Sequence, residues 1–213
     1  MRSRSGEPPL AQTLGADSGV VMLNDLSSPA ALLATRRSGK PRDMVAPGPD
    51  AAQLRRILTS AMRVPDHGKL APWRFVVIGS SERDAFAALL ERAYLAGKAD
   101  AGRLELDAVA QFAHQAPSLV VVISTPNTDS HIPLWEQELS AGAACMALLA
   151  ATHAEGLVGS WLTGWASYAP GVAEALGHAD GRIAGFLFLG TPSRTLDERP
   201  RPDFETITSD WRG

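Results

Sequence analysis

Residues 118–124 read Ser-Leu-Val-Val-Val-Ile-Ser, an unbroken apolar and β-branched run that directly follows Pro117. A run of this kind is typical of a strand buried on both faces, because a strand with one solvated face would alternate apolar and polar residues. The sequence therefore predicts a fully buried strand here, and the other elements are placed outward from it.

Four helices and one strand are predicted before this run. The first helix has Ser28 as its N-cap and Pro29 at its first helical position, and Gly39 suits its C-terminal cap. The second helix is capped by Asp50, and its apolar residues form a single stripe, namely Leu54, Ile57, Leu58, Ala61 and Met62. The remaining elements are a strand at Trp73–Ile78, a helix opened by Ser81 that stops near Gly97, and a helix at Arg103–His114.

One long helix and two strands are predicted after the run. The helix starts at Pro133, reaches about Ala154 and is ended by Gly156, and its body SAGAACMALLAA consists almost entirely of small residues. Other elements can therefore approach its backbone closely. The strands lie at 157–161 and 183–189, and an irregular, proline-containing tail follows from Gly190. Helices and strands do not alternate strictly, which favours an α+β fold.

Composition and charge limit the classes of function. A chain of 213 residues that is 45% hydrophobic and 20% charged is typical of one globular domain, here residues 26–213. Residues 1–25 are rich in Gly, Ser and Pro, have no apolar signal-peptide core, and are predicted to form a disordered extension. The net charge of −3 gives no reason to expect nucleic-acid or membrane partners. The single cysteine, Cys145, excludes an internal disulfide and is compatible with a cytoplasmic location.

Several common catalytic motifs are missing from the sequence. It has no Gly-x-Gly-x-x-Gly, no Walker loop, no Gly-x-Ser-x-Gly and no His-Glu-x-x-His, and its five histidines lack metal-ligand spacing. We therefore assign no catalytic side chain and no metal. A chain that binds a phosphorylated cofactor without a glycine loop must hold the phosphate with arginines and helix ends.

Three clusters are candidates for ligand binding, and each has an ordinary structural alternative. Arg36-Arg37-Ser38 can hold a phosphate, or can simply be basic residues that favour a helix C-terminus. The loop from Arg63 to Trp73 is bounded by prolines and is either a ligand-binding loop or a solvated turn. Residues 159–164, Gly-Ser-Trp-Leu-Thr-Gly, can bring backbone amides to a planar ligand or form a tight strand-end turn.

In this order the clusters resemble the FMN-dependent nitroreductase family, and in particular its YdjA-like branch. The resemblance covers roughly residues 28–205 and rests on four segments, which are Arg36-Arg37-Ser38, the Met-Arg-Val-Pro-Asp-His of 62–67 with the Pro-Trp-Arg-Phe of 72–75, the Pro-Leu-Trp-Glu-Gln-Glu-Leu-Ser-Ala-Gly of 133–142, and the Ile-Ala-Gly-Phe-Leu-Phe-Leu-Gly-Thr-Pro of 183–192. It implies an α+β nitroreductase-like fold with a central, mostly antiparallel sheet flanked by helices, and a C-terminal tail exchanged in a dimer.

The resemblance also implies a site and an activity. Arg36, Arg37 and Ser38 would hold the FMN phosphate and ribityl chain, Arg63 and His67 would contact the flavin, and Trp161, Leu162 and Thr163 would approach its ring system, largely through backbone atoms. The implied activity passes hydride from NADPH or NADH through FMN to a nitroaromatic, a quinone or a similar small acceptor, and the flavin supplies the difficult chemistry. Many family members carry Asn and Gln where this loop has Lys69 and Ala71, so the loop has no side-chain amide at these two positions.

Alternatives remain for the acceptor and for the assembly. The acceptor is alternatively an enone or an aldehyde such as malonic semialdehyde, and the protein is alternatively a non-catalytic flavin-binding protein. A homodimer is expected because the helix from Pro133 is apolar nearly all round, and because the tail carries Pro200, Pro202, Phe204 and Trp211 along an irregular chain. The alternative is a monomer whose tail wraps its own core.

Overall fold

A five-stranded antiparallel sheet forms the centre of the computed structural model, which describes residues 22–213. The predicted disordered extension of residues 1–25 lies outside the described residues except for its last four. The strands are β1 (Met44–Val45), β2 (Trp73–Ile78), β3 (Ser118–Ser124), β4 (Val158–Leu162) and β5 (Arg182–Pro192). Their order is β1-β5-β3-β2, and β4 also pairs with β5.

The strand predicted at residues 118–124 is confirmed as β3, and it lies between β2 and β5. The side chains from Leu119 to Ile123 are 0% exposed. Val121 lies opposite Val76 of β2 and Phe186 of β5, so β3 has a partner along both edges. Covering helices and neighbouring strands together explain why its sequence is apolar at successive positions.

Helices cover both faces of the sheet. They are α1 (Pro29–Thr35), α2 (Ala51–Ala61), α3 (Arg83–Gly97), α4 (Arg103–His114), α5 (Leu134–Ala154), α6 (Trp165–Tyr168), α7 (Val172–Ala175) and α8 (Phe204–Ile207). The face that carries Val120 and Leu187 packs against α2 and α5. The opposite face, with Val121 and Phe186, packs against α3, α4, α6 and α7. The predicted α+β fold is confirmed.

Helix α5 is the longest helix of the described chain, and its 21 residues span about 30 Å. Its small residues Ala141, Ala144 and Cys145 are buried, so α2, β3, β4 and β5 approach its backbone closely. One of its faces has no cover within the described chain, and there Trp135 is 67% exposed and Leu139 53% exposed. No helix within residues 22–213 is both long and apolar enough to cross a membrane.

The prediction for the end of α1 is wrong. The helix does begin after the N-cap Ser28, whose Oγ accepts from Ala31 N at 3.0 Å, but it ends at Thr35 with Arg36 as its C-cap. Gly39 does not cap it. This glycine is buried between β1 and β4, where an added Cβ would lie 3.2 Å from side-chain atoms of Met44 and Val158. Its small size is needed for packing between distant elements, which local sequence does not reveal.

Candidate functional site

The first part of the candidate site is the phosphate segment, which we define as residues 36–40, directly after α1. Its backbone is held from two sides, because Arg37 N donates to Asn24 Oδ1 at 2.8 Å and Arg37 O lies 2.9 Å from Nε2 of His153 on α5. Close packing of Gly39 on β1 and β4 fixes its position against the sheet. The segment is therefore a rigid loop, not a frayed helix end.

Two side chains of the phosphate segment offer donors that the described chain does not use. Arg36 and Ser38 are half-buried, and within residues 22–213 neither side chain makes a hydrogen bond or an ion pair. Burial lowers the pKa of Arg36, and the nearby charges of Arg201 and Arg37 lower it further. Three guanidinium groups that repel one another, beside a free hydroxyl, form an arrangement that an anion such as a phosphate would stabilise.

The Arg37 side chain, unlike that of Arg36, has partners within the described chain. Its Nε and Nη2 donate to the carbonyl oxygen of Asp197 at 3.0 and 2.8 Å, and its Nε lies 3.2 Å from Glu198 Oε1. Arg37 therefore ties the segment after β5 to the phosphate segment. The same segment leads to Arg201, which sequence reasoning missed because Arg36 and Arg201 lie far apart in the chain.

The second part is the flavin-side loop, which we define as residues 63–71, between α2 and β2. The carboxylate of Asp66 accepts from Leu70 N and from Ala71 N, both at 2.9 Å. Lys69 and Ala71 have φ values of 55° and 45°, in the left-handed region, so these hydrogen bonds close a tight turn. The turn is fixed on α5 by Ser140, whose Oγ donates to Pro65 O at 2.6 Å.

The basic side chains of the flavin-side loop are exposed to solvent. Arg63 makes no side-chain hydrogen bond or ion pair with any residue of the described chain. His67 Nδ1 lies 2.7 Å from Oε2 of Glu136, in the first turn of α5, and the His67 side chain is 63% exposed. The loop thus holds its charges outward from a well-defined backbone.

The third part is the strand-end segment, residues 161–163. Trp161 Nε1 donates to Ala184 O at 2.9 Å, and the indole lies across Gly185, where an added Cβ would be 2.1 Å from Nε1. The indole is therefore fixed flat against β5, with 37% of Trp161 exposed. A cleft opens beside it, and its lining includes Thr163, Tyr168, Ser124 and the ion pair of Glu138 with Arg182.

The phosphate segment and the flavin-side loop lie far apart in a single chain. His67 contacts α5 at Glu136 and Arg37 contacts it at His153, 17 residues later, which is about 25 Å along the helix. By contrast, β4 leads directly from Val158, which packs on Gly39, to the strand-end segment, which begins about 10 Å away at Trp161. The flavin-side loop therefore lies at the far end of α5 from the phosphate segment. Strand β4 runs from the phosphate segment to the strand-end segment, which shares a cleft with Glu138 of α5.

Comparison with known proteins identifies the family. A family model described as the nitroreductase family matches residues 33–191. A relative from Escherichia coli K12, named "Putative NAD(P)H nitroreductase YdjA", is 39% identical over 162 residues, which cover 76% of this chain and 86% of the relative.

Solved structures show the same fold. A nitroreductase-like family protein from Bacillus cereus has a TM-score of 0.74 at 19% identity, covering 88% of this chain and 97% of that one. A mutant of the FMN and NADPH-dependent nitroreductase NfnB from Sphigopyxis sp. strain HMH has a TM-score of 0.63 at 21% identity, covering 87% and 99%. The resemblance predicted from the sequence is confirmed, and this chain belongs to the nitroreductase family.

Proposed function

We propose that this protein is an FMN-dependent oxidoreductase that passes hydride from NADPH or NADH, through bound FMN, to a nitroaromatic, a quinone or a similar small acceptor. The observation that carries the proposal is the phosphate segment, where Arg36 and Ser38 have no partner within residues 22–213 and stand beside two further arginines. Two similar proteins support it, because the E. coli relative is named as an NAD(P)H nitroreductase and NfnB is described as FMN and NADPH-dependent.

The phosphate segment fits a mononucleotide. Arg36, Arg201 and the Ser38 hydroxyl would hold the phosphate, and Arg37 would contribute backbone atoms and the guanidinium donors that Asp197 does not use. The sequence has no dinucleotide-binding glycine motif, which favours FMN over FAD. When bound, FMN supplies the hydride-transfer chemistry, and the protein binds and orients it.

The strand-end segment is placed to meet the flavin ring of the same chain. It begins about 10 Å from the phosphate segment along β4, a distance that an extended FMN molecule spans. Trp161, Leu162 and Thr163 would therefore approach the ring system. The indole ring of Trp161 already contacts Ala184 and Gly185, so Trp161 would contribute mainly its backbone groups.

We further propose that the active protein is a homodimer and that the flavin-side loop acts on the FMN of the partner subunit. Arg63 and His67 are exposed, and the contact of His67 with α5 lies about 25 Å along this helix from that of Arg37, farther than one FMN reaches. A second chain packed on the exposed face of α5 would bring its own loop to this FMN. Trp135 and Leu139 lie on that face and would be buried in the dimer.

The C-terminal tail supports the same assembly. Phe204 is 70% exposed, Ile207 67% and Trp211 92%, so the tail does not wrap the core of its own chain within the described residues. Exposed aromatic and aliphatic side chains in an irregular tail are typical of a segment that packs on a partner. An interface formed by α5 and exchanged tails would bury roughly 2,000–5,000 Å², the size of obligate dimer interfaces.

Two measurements on the purified protein test the enzyme proposal. The cofactor released by heat should be FMN on chromatography, and finding FAD, or no flavin after reconstitution with FMN, would refute it. Anaerobic mixing with NADPH and with NADH should bleach the flavin absorbance within milliseconds to seconds. A protein that binds FMN but is not reduced by either nucleotide would instead be the non-catalytic flavin-binding protein.

A further inference from the structure

A buried histidine lies beneath the phosphate segment. His153, in the last turn of α5, is 1% exposed. Its Nδ1 lies 2.6 Å from the carbonyl oxygen of Leu149, one turn earlier, and its Nε2 lies 2.9 Å from the carbonyl oxygen of Arg37. The imidazole therefore links the end of α5 to the backbone between Arg36 and Ser38.

Both contacts of His153 require the ring to donate. A carbonyl oxygen only accepts hydrogen bonds, and a neutral imidazole carries one N–H, so the neutral ring leaves one nitrogen lone pair facing an oxygen lone pair. The protonated ring has an N–H on each nitrogen and satisfies both carbonyls. The geometry around His153 thus matches the imidazolium form.

The surroundings of His153 oppose that charge while no anion is bound. The charge of Arg36, the C-cap of α1, acts on His153, whereas the Arg37 guanidinium is directed to Asp197 and Glu198. Arg194 and Glu198 border the same groove from the segment after β5, and Glu155, the C-cap of α5, is paired with Arg56 at 2.7 Å. Burial lowers the pKa of His153 and the charge of Arg36 lowers it further, against the effect of its two hydrogen bonds. A phosphate at Arg36 and Ser38 would offset the repulsion from Arg36.

We propose that His153 is a proton-linked positioning residue for the cofactor: its protonated ring holds the Arg37 carbonyl, and phosphate binding at Arg36 and Ser38 favours the protonated ring. This inference rests on the proposed FMN site. Because linkage is reciprocal, FMN binding takes up a proton at His153, and protonation of His153 strengthens FMN binding by the same factor. Affinity for FMN therefore rises as the pH falls through the interval between the His153 midpoints of the free and the FMN-bound protein.

Nuclear magnetic resonance of the ¹⁵N-histidine-labelled protein tests the proposal directly. The imidazole signals are followed from acid to alkaline pH with and without saturating FMN, and His153 is assigned from the signals missing in His153→Gln. FMN should raise the His153 midpoint by about one pH unit or more, equivalent to about tenfold tighter FMN binding by the protonated form. An unchanged midpoint in a protein that binds FMN overturns the inference alone, whereas absence of FMN binding overturns the proposed function as well.

Calorimetry gives a second readout that a purely structural role would not change. FMN binding is measured near neutral pH in two buffers of different ionisation enthalpy, and the difference yields the number of protons taken up. Uptake should fall in His153→Gln and stay at the wild-type value in His114→Gln, a change of an exposed histidine that pairs with Asp84 on α3. Equal uptake by all three proteins would refute the proposal, and the comparison at one pH cancels the contribution of the FMN phosphate itself.

Discussion

The phosphate segment and the flavin-side loop are both polar and both follow a helix, but they are fixed in different ways. The phosphate segment is held by groups from distant parts of the chain, namely Asn24, His153 and Asp197. The flavin-side loop is closed mainly by its own Asp66, and its basic side chains are exposed. The first region is therefore held together within one chain, whereas the basic side chains of the second region face outward from it. We infer that the second region is completed by another copy of the chain.

Removing the tail should have the largest effect on dimerisation and on FMN binding. Deletion of residues 200–213 removes Arg201, which adds to the charge around Arg36, together with the exposed Phe204 and Trp211. We expect loss of dimerisation and loss of bound FMN together, measured by analytical ultracentrifugation with detection both of protein absorbance and at the flavin wavelength. Arg201→Ala is the matched control, because it should weaken FMN binding and leave the dimer intact. A truncated protein that sediments as a dimer with bound FMN would contradict the assignment of the tail.

Changes in the phosphate segment should come next. Loss of a charge-assisted contact costs about 1.5–3 kcal/mol, so Arg36→Ala should weaken FMN binding about ten- to a hundredfold, and Ser38→Ala should weaken it less. The fold should survive because α1 buries none of its residues and Arg36 lies at its end. Fluorescence titration of FMN measures the affinity, with Arg42→Ala, a change of an exposed arginine nearby, as the control. Unchanged affinity in both variants would show that Arg36 and Ser38 do not hold the FMN phosphate.

Changes in the flavin-side loop should be smaller. The double variant Arg63→Ala/His67→Ala should bind FMN roughly three- to tenfold more weakly, because its contacts are peripheral and solvent-screened. Its free energy of unfolding should change by less than about 1 kcal/mol, since the His67–Glu136 pair is exposed. FMN titration measures the affinity, and urea unfolding of the apoprotein measures the free energy of unfolding. A large loss of stability would show that the loop supports its own chain and is not a free binding element.

FMN binding should have the smallest effect on α5, the helix that separates the two regions. Cys145 is 0% exposed, and burial raises the pKa of its thiol to about 12. Thiol reagents need the thiolate, so native protein should react with 5,5′-dithiobis(2-nitrobenzoate) only as fast as it unfolds, whether or not FMN is bound. Rapid modification of the folded protein would show that the packing of α5 against β3 and β4 is looser than the structure implies.

Periodicity and capping were enough to locate most of the larger elements. The runs at 118–124 and Arg103–His114 are confirmed residue by residue, because an apolar run and an amphipathic stripe are local signals. The short elements β1, α6, α7 and α8 were missed, since two to four residues carry no measurable period. Their positions are fixed by the elements on which they pack.

The site was harder to predict than the fold, because its geometry depends on contacts between distant residues. The sequence indicated the Arg36-Arg37-Ser38 cluster but could not show that Arg37 holds Asp197, or that Arg201 approaches Arg36. His153 sits in a run of small helical residues, and no local pattern shows that its ring meets the Arg37 carbonyl. The role of Gly39 was assigned wrongly for the same reason. The residue assignments for FMN stay predictions until the experiments are done.

A heterodimer of two variants tests most directly the claim that each flavin site is shared between chains. One chain carries Arg36→Ala/Ser38→Ala, the other carries Arg63→Ala/His67→Ala, and the mixed dimer is purified with two different tags. FMN titration gives the affinity and the number of sites, which are compared with those of the wild type and of both variant homodimers. If the phosphate segment of one chain and the loop of its partner form each site, the heterodimer has one intact site and should bind one FMN with wild-type affinity. If both regions serve a site within one chain, both sites of the heterodimer are damaged, and a heterodimer whose tightest site binds FMN no better than the Arg63→Ala/His67→Ala homodimer would contradict the shared site.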